Sequence, residues 1–142
     1  ADVIVSHVLR NILNERKSKG TLPPIFCVIE EAHILAPKDD NTLSKYWISR
    51  IAREGRKFGT ILTFITQRIQ EFPAVLWEQC KLTYLFKITH PTTLRYVENF
   101  IPEIKSINPE LQQYDVLEYN HVTGEWRIIK SYEIVRKTKH YG

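Results

Sequence analysis

Apolar side chains at Val5, Val8, Leu9, Ile12 and Leu13 recur at the i, i+3, i+4, i+7, i+8 spacing that predicts an amphipathic helix over residues 3–16. Gly20 and then Pro23-Pro24 end it. Ile25-Phe26-Cys27-Val28-Ile29 is a short unbroken apolar run, β-branched and aromatic, the pattern of a parallel strand buried on both faces. It closes on Glu30-Glu31-Ala32-His33, and a loop with Pro37, Lys38, Asp39 and Asp40 follows. A second helix is predicted from Thr42 to Lys57. Leu43, Trp47, Ile48, Ile51 and Ala52 face its core side, and Arg50, Arg53, Arg56 and Lys57 stay polar. Gly59 supplies its stop. Ile61-Leu62-Thr63-Phe64-Ile65 repeats the buried-strand pattern and ends on Thr66-Gln67-Arg68.

Pro73 opens a short predicted helix to about Cys80, and Leu82 to Ile88 reads as a third strand broken by His90-Pro91. Thr92 is expected to cap a helix through Phe100, with Leu94, Val97 and Tyr96 inward. Asp115–Tyr119 and Trp126–Val135 then alternate apolar and polar residues around Asn120–Gly124, a β-hairpin signature with a longer loop. Helix–strand alternation followed by a hairpin predicts an α/β fold with a mainly parallel sheet. The expected division is residues 1–114 for that α/β part and 115–142 for the hairpin and a basic tail, Arg136-Lys137-Thr138-Lys139-His140.

Composition narrows the class. With 43% hydrophobic and 25% charged residues in 142, the chain is neither disordered nor fibrous and suits one compact domain. Twenty Lys and Arg against 16 Asp and Glu leave a net charge of +4, which permits nucleic-acid binding without demanding it. Cys27 and Cys80 lack metal-ligand spacing and read as apolar fillers in a reducing compartment. No apolar run reaches the roughly 18–20 residues that span a bilayer. A soluble, cytoplasmic chain is the expectation. It contains no Met and opens on Ala1-Asp2-Val3 inside the first predicted helix, which raises the expectation of a piece of a longer protein.

In open parallel sheets, functional residues gather beyond the carboxyl ends of the strands. Both central strands deliver polar residues there: Glu30, Glu31 and His33 after the first, Thr66, Gln67 and Arg68 after the second. Two carboxylates leaving a buried strand suit a nucleoside triphosphatase, where one acid holds Mg²⁺ and its neighbour orients the attacking water. Strand alternation would send Glu30 and Glu31 to opposite sides and so divide those tasks. A solvated acid pair opening a helix is the plain alternative. His33 has no second His or Cys at ligand spacing, which favours capping or packing over metal ligation.

The order of these segments carries more than any one of them. Cys27-Val28-Ile29-Glu30-Glu31-Ala32-His33 resembles the Walker B motif of the HerA/FtsK branch of P-loop ATPases. Ile51-Ala52-Arg53-Glu54-Gly55-Arg56-Lys57-Phe58-Gly59 resembles that family's arginine-bearing helix end, and Ile65-Thr66-Gln67-Arg68 its sensor strand. Ile88-Thr89-His90-Pro91-Thr92 is similar to the strand that follows the sensor in HerA-type translocases, so the likeness covers about residues 3–105. The resemblance implies a partial RecA-like P-loop NTPase sheet of the ASCE type with a C-terminal hairpin. It implies ATP and Mg²⁺ as cofactors, hexameric rings acting on double-stranded DNA, and in archaea a nuclease partner of the NurA type. Carried across, Glu30 is the metal-side Walker B acid in place of the commoner Asp, and Glu31 the catalytic base. Gln67 senses the γ-phosphate, with Thr66 beside it at the nucleotide. Arg56 is the first choice for a finger reaching a neighbouring subunit's nucleotide, and Arg53 the second.

One part of the family pattern is missing from these residues. A phosphate-binding loop needs Gly-x-x-x-x-Gly-Lys-Ser/Thr, and none of the 5 glycines precedes a lysine. The chain therefore reads as the second half of an ATPase core, inactive alone. The competing class is a non-catalytic subunit-contact or DNA-binding module derived from that half. A DEAH-box helicase fits less well, since Glu30 stands for the Asp and no Ser-Ala-Thr motif follows.

Overall fold

The computed structural model describes residues 1–20 and 22–130. The basic tail and the second half of the predicted Trp126–Val135 strand lie outside the described residues. Two compact units divide the chain, Ala1–Gln79 and Cys80–Gly142.

The first unit begins with α1 (Asp2–Lys19), which ends at Gly20 in a positive-φ conformation. Its buried face is Ser6, Leu9, Leu13 and Arg16, and α1 lies against α3 (Leu43–Glu54), whose own buried residues are Ser44, Ile48 and Ile51. Val8, expected to face the core, is exposed because the buried stripe runs through positions 6, 9, 13 and 16. Asp2 also reaches across to the start of α3. Its carboxylate accepts from the Ser44 amide at 2.8 Å, the Leu43 amide at 3.3 Å and the Ser44 hydroxyl. Thr42 caps the same helix by accepting from Lys45 N. Leu43, expected inward, is exposed at this first turn.

Between these helices run β1 (Ile25–Ile29) and the single turn α2 (Ala32–Leu35). A 3-10 turn, Gly55–Phe58, leads from α3 into β2 (Thr60–Phe64). β1 and β2 pair in parallel from Ile25↔Thr60 to Ile29↔Phe64. One face of this ladder carries Phe26, Val28 and Ile61, 70%, 58% and 42% exposed, while Ile29 on the opposite face is buried. The strands read as covered on both faces are thus covered on one. A further 3-10 turn (Ile69–Glu71) and α4 (Ala74–Trp77) close the unit, with Phe72 tilted against Phe64 and edge to face with Trp77.

In the second unit β3 (Leu82–Leu85) is followed by α5 (Pro91–Glu98), α6 (Ile104–Ile107), β4 (Val116–Asn120) and β5 (Trp126–Ile129). Its sheet has the order β3-β4-β5, antiparallel throughout. Parallel pairing among the described residues is therefore confined to β1–β2, and β3 has β4 as its ladder partner. The hairpin is present, with Asn120 Oδ1 accepting from Val122 and Thr123 amides and Gly124 at φ 74. Pro91 at the first position opens α5, because its missing N–H needs no partner there. Thr92 consequently falls inside the first turn and is not the cap. Val97, Ile101, Ile104, Ile107, Leu111 and Leu117 form the core. Buried Asn108 bonds both the amide and the carbonyl of Ile88, which holds the chain after β3 where a ladder partner is lacking.

Candidate functional site

The parallel register aligns the carboxyl ends of β1 and β2, so Glu30-Glu31 and Thr66-Gln67 emerge side by side. Backbone pairing continues past both strands: Ile65 N donates to Ile29 O at 2.9 Å, and Ala32 N to Ile65 O at 3.0 Å. The strand stops at Ile29, and Glu31 adopts φ 48, ψ 47 in the left-handed region. Few non-glycine side chains occupy that region, and those that do cluster at functional sites. The directions of Glu30 and Glu31 are thus set by this turn, and not by the strand alternation expected from sequence. Glu30 and Gln67 are exposed, and Glu31 is half-buried.

His33 stands behind these groups. It is 9% exposed, with Nδ1 at 2.9 Å from Thr66 Oγ1 and 3.3 Å from Glu31 Oε2. Thr66 Oγ1 also accepts from the Arg68 amide at 3.1 Å, and Arg68 pairs with Glu71 at 3.2 Å. One cluster therefore holds Glu31, His33 and Thr66, with Glu30 and Gln67 on its solvent side. Residue chemistry alone left His33 as a cap or packing residue; its link to Thr66, 33 residues on, needed the register of β1 on β2.

Arg53 and Arg56 lie elsewhere. They precede β2, whose first residue pairs with the first residue of β1. The length of five strand residues, about 16 Å, separates that end of the sheet from Glu31. Both arginines are exposed, and neither has an ion pair within the described residues. Glu54 beside them is held by Lys17 and by Arg50 at 3.1 Å, which lowers its carboxyl below the usual range. Arg16, unremarked in the sequence, is 5% exposed and donates to the carbonyls of Phe58, Leu22 and Pro23. Its spacing from Leu9 and Leu13 is the signal that places it on the buried face.

The donor set limits what these residues hold. Among the described residues no group of three or more His, Cys, Asp or Glu is arranged for a metal. Glu30 fits Mg²⁺ only as one carboxylate sharing the ion with water and phosphate oxygens, the usual arrangement for that cation. Burial pushes the Cys27 thiol up and the Cys80 thiol up to about 11, so neither serves as a thiolate. No helix among the described residues is long and apolar enough to cross a membrane.

Solved structures share this architecture. The genome-packaging NTPase B204 of Sulfolobus turreted icosahedral virus 2, in complex with AMPPCP, superposes with a TM-score of 0.77 at 22% identity, over 91% of this chain and 61% of that one. The DNA-packaging ATPase B204 of Sulfolobus turreted icosahedral virus superposes at 0.75 and 23% identity, over 92% and 62%. The fold is that of a P-loop nucleoside triphosphatase. In sequence, the DNA double-strand break repair helicase HerA of Saccharolobus solfataricus is 46% identical over 102 residues, 68% of this chain and 20% of the relative. HerA of Sulfurisphaera tokodaii is 44% identical over 102 residues, and a probable helicase of Methanocaldococcus jannaschii 36% over 121. No protein-family model matches. The chain belongs to the HerA-type P-loop ATPases and spans about a fifth to a quarter of the length of these relatives.

Proposed function

We propose that this chain is the second half of the ATPase core of an ATP-driven, ring-forming DNA translocase or helicase of the HerA/FtsK type. The observation that carries the reading is the meeting of Glu30, Glu31 and Thr66-Gln67 at one end of a parallel strand pair, in a chain that is 46% identical over 102 residues to a repair helicase. Residues 1–114 supply the core half and 115–142 the hairpin and tail. The phosphate loop comes from the rest of a longer protein, and the chain alone hydrolyses no ATP. Double-stranded DNA, further copies in a hexameric ring and a nuclease of the NurA type are its partners, in the cytoplasm.

Glu31, turned out of the strand by its left-handed backbone, accepts the proton of the attacking water. Gln67 and Thr66 offer donors to the terminal phosphate from the adjacent strand end. Glu30, exposed beside them, would hold Mg²⁺, which supplies charge neutralisation at the phosphates when bound. Arg56, with Arg53 second, lies too far along the sheet to reach this site in its own chain and faces solvent. That placement suits a finger completing a neighbour's site. A non-catalytic module would present the same exposed arginines but would have no use for the strained Glu31.

The two acids separate under one experiment, ATPase rate against Mg²⁺ concentration in the full-length protein. Glu31→Gln is expected to abolish turnover at every Mg²⁺ level while ATP stays bound. Glu30→Gln is expected to show a raised Mg²⁺ requirement that added metal partly corrects. Near wild-type rates in both variants would remove the Walker B assignment and with it the motor reading.

A further inference from the structure

Glu31 and the Thr66-Gln67 turn have roles in the proposed reaction; the buried side chain between them has none so far. His33 Nδ1 lies within reach of both, 3.3 Å from Glu31 Oε2 and 2.9 Å from Thr66 Oγ1. A carboxylate only accepts, so we assign the ring hydrogen to Nδ1, where it is donated to Thr66 Oγ1 and lies beside Glu31 Oε2. Thr66 Oγ1 then accepts twice, from His33 Nδ1 and from the Arg68 amide at 3.1 Å. Both hydroxyl lone pairs are thereby used, and the hydroxyl hydrogen is left to donate away from the cluster. Burial of His33 to 9% exposure removes competing water from this arrangement. Glu31 holds φ 48, ψ 47, a conformation that persists only where surrounding contacts over-determine it.

We propose that His33 is a positioning residue coupling the base Glu31 to the Thr66-Gln67 turn. One shared Nδ1–H orients the Glu31 carboxylate and fixes the direction in which Thr66 donates. A shift of the turn, as when a terminal phosphate engages Thr66 or Gln67, is passed to the carboxylate through the imidazole, and the reverse holds equally. The inference rests on Glu31 being the base, as proposed above.

The amide nitrogen of an asparagine at this position stands where Nδ1 does, and that of a glutamine stands nearer Nε2, so the two substitutions separate the hydrogen bond from bulk and polarity. In the full-length protein His33→Gln and His33→Phe are expected to lower kcat roughly 10–100-fold, the scale of a small misplacement of a reacting group, with KM for ATP little changed. His33→Asn is expected to recover most of that loss. Thr66→Val combined with His33→Phe should lose little more than the worse single variant, because both cut one link. Equal loss in His33→Asn and His33→Gln, a loss confined to KM, or single-variant losses that multiply in the double variant would each overturn the coupling. Glu31→Gln run in parallel tells the two readings apart. If it still turns over ATP, the reading of Glu31 as base fails, and the coupling with it. If it is inactive while His33→Phe turns over at the wild-type rate, the coupling alone fails.

Discussion

Arg16 Nε donates to the carbonyl of Phe58 at 2.5 Å, joining the last turn of α1 to the end of the arginine-bearing turn 42 residues away. Its Nη2 serves Pro23 O at 2.6 Å and Leu22 O at 3.2 Å, so one buried guanidinium ties together the two chain segments that enter β1 and β2. No carboxylate pairs with it among the described contacts. The charge is offset by carbonyl oxygens that have few other partners, and this explains how a cation sits 5% exposed on an apolar helix face.

Arg16→Met is expected to destabilise the first unit by about 3 kcal/mol, since charge-assisted bonds are lost and three carbonyls lose their donor. Amide exchange followed by mass spectrometry is the measurement. Residues 22–26 and 56–60 should lose protection first, and unchanged exchange there would show the clamp to be dispensable. Gly59→Ala should act at the same place, because a Cβ would stand 2.8 Å from Arg16 Nη2 and φ is +69.

Asp2 predicts a pH effect. Hydrogen bonds from the Ser44 side chain and amide hold its carboxyl below the ordinary 3.8. The folded-state value is depressed, so its stabilising contribution is present above pH 3.8 and is lost as pH falls through the lower folded value. Asp2→Asn should therefore weaken the start of α3 at neutral pH and flatten the acid limb of the stability profile. An unaltered acid limb would mean that this cap does not couple to folding.

Arg56→Ala in the full-length protein should leave ATP binding nearly intact and reduce turnover by about 10³, the scale of an arginine finger. If Arg56 completes a neighbouring subunit's site as proposed, mixing that variant with Glu31→Gln should restore part of the activity. Absence of rescue at any ratio, or an equal loss in Arg53→Ala alone, would move the role to another residue.

The 142-residue chain by itself should show no ATP hydrolysis above background, for want of a phosphate-binding loop. Turnover that disappears on Glu31→Gln in this same chain would contradict the assignment of the phosphate site to another segment.

What local chemistry dictates was legible from residue order. The short β-branched and aromatic runs at 25–29 and 61–65, the second carrying Thr63, mark strands, and Gly20 and Gly59 mark helix ends because both hold a positive φ. The acids stand out by their place at a strand end, whereas the roles of Gln67 and the arginines came only from the resemblance to HerA-type ATPases. Tertiary structure decided the rest. Which face of α1 is buried depended on what packs against it: Arg16 is held by the carbonyls of Leu22, Pro23 and Phe58, while Val8 is left outside. The partner of β3 depended on β4, more than 30 residues later, and alternation along one strand carries no information about its neighbour. The cluster of Glu31, His33 and Thr66 exists only in the β1–β2 register, which aligns the ends of the two strands and so brings Thr66 to His33.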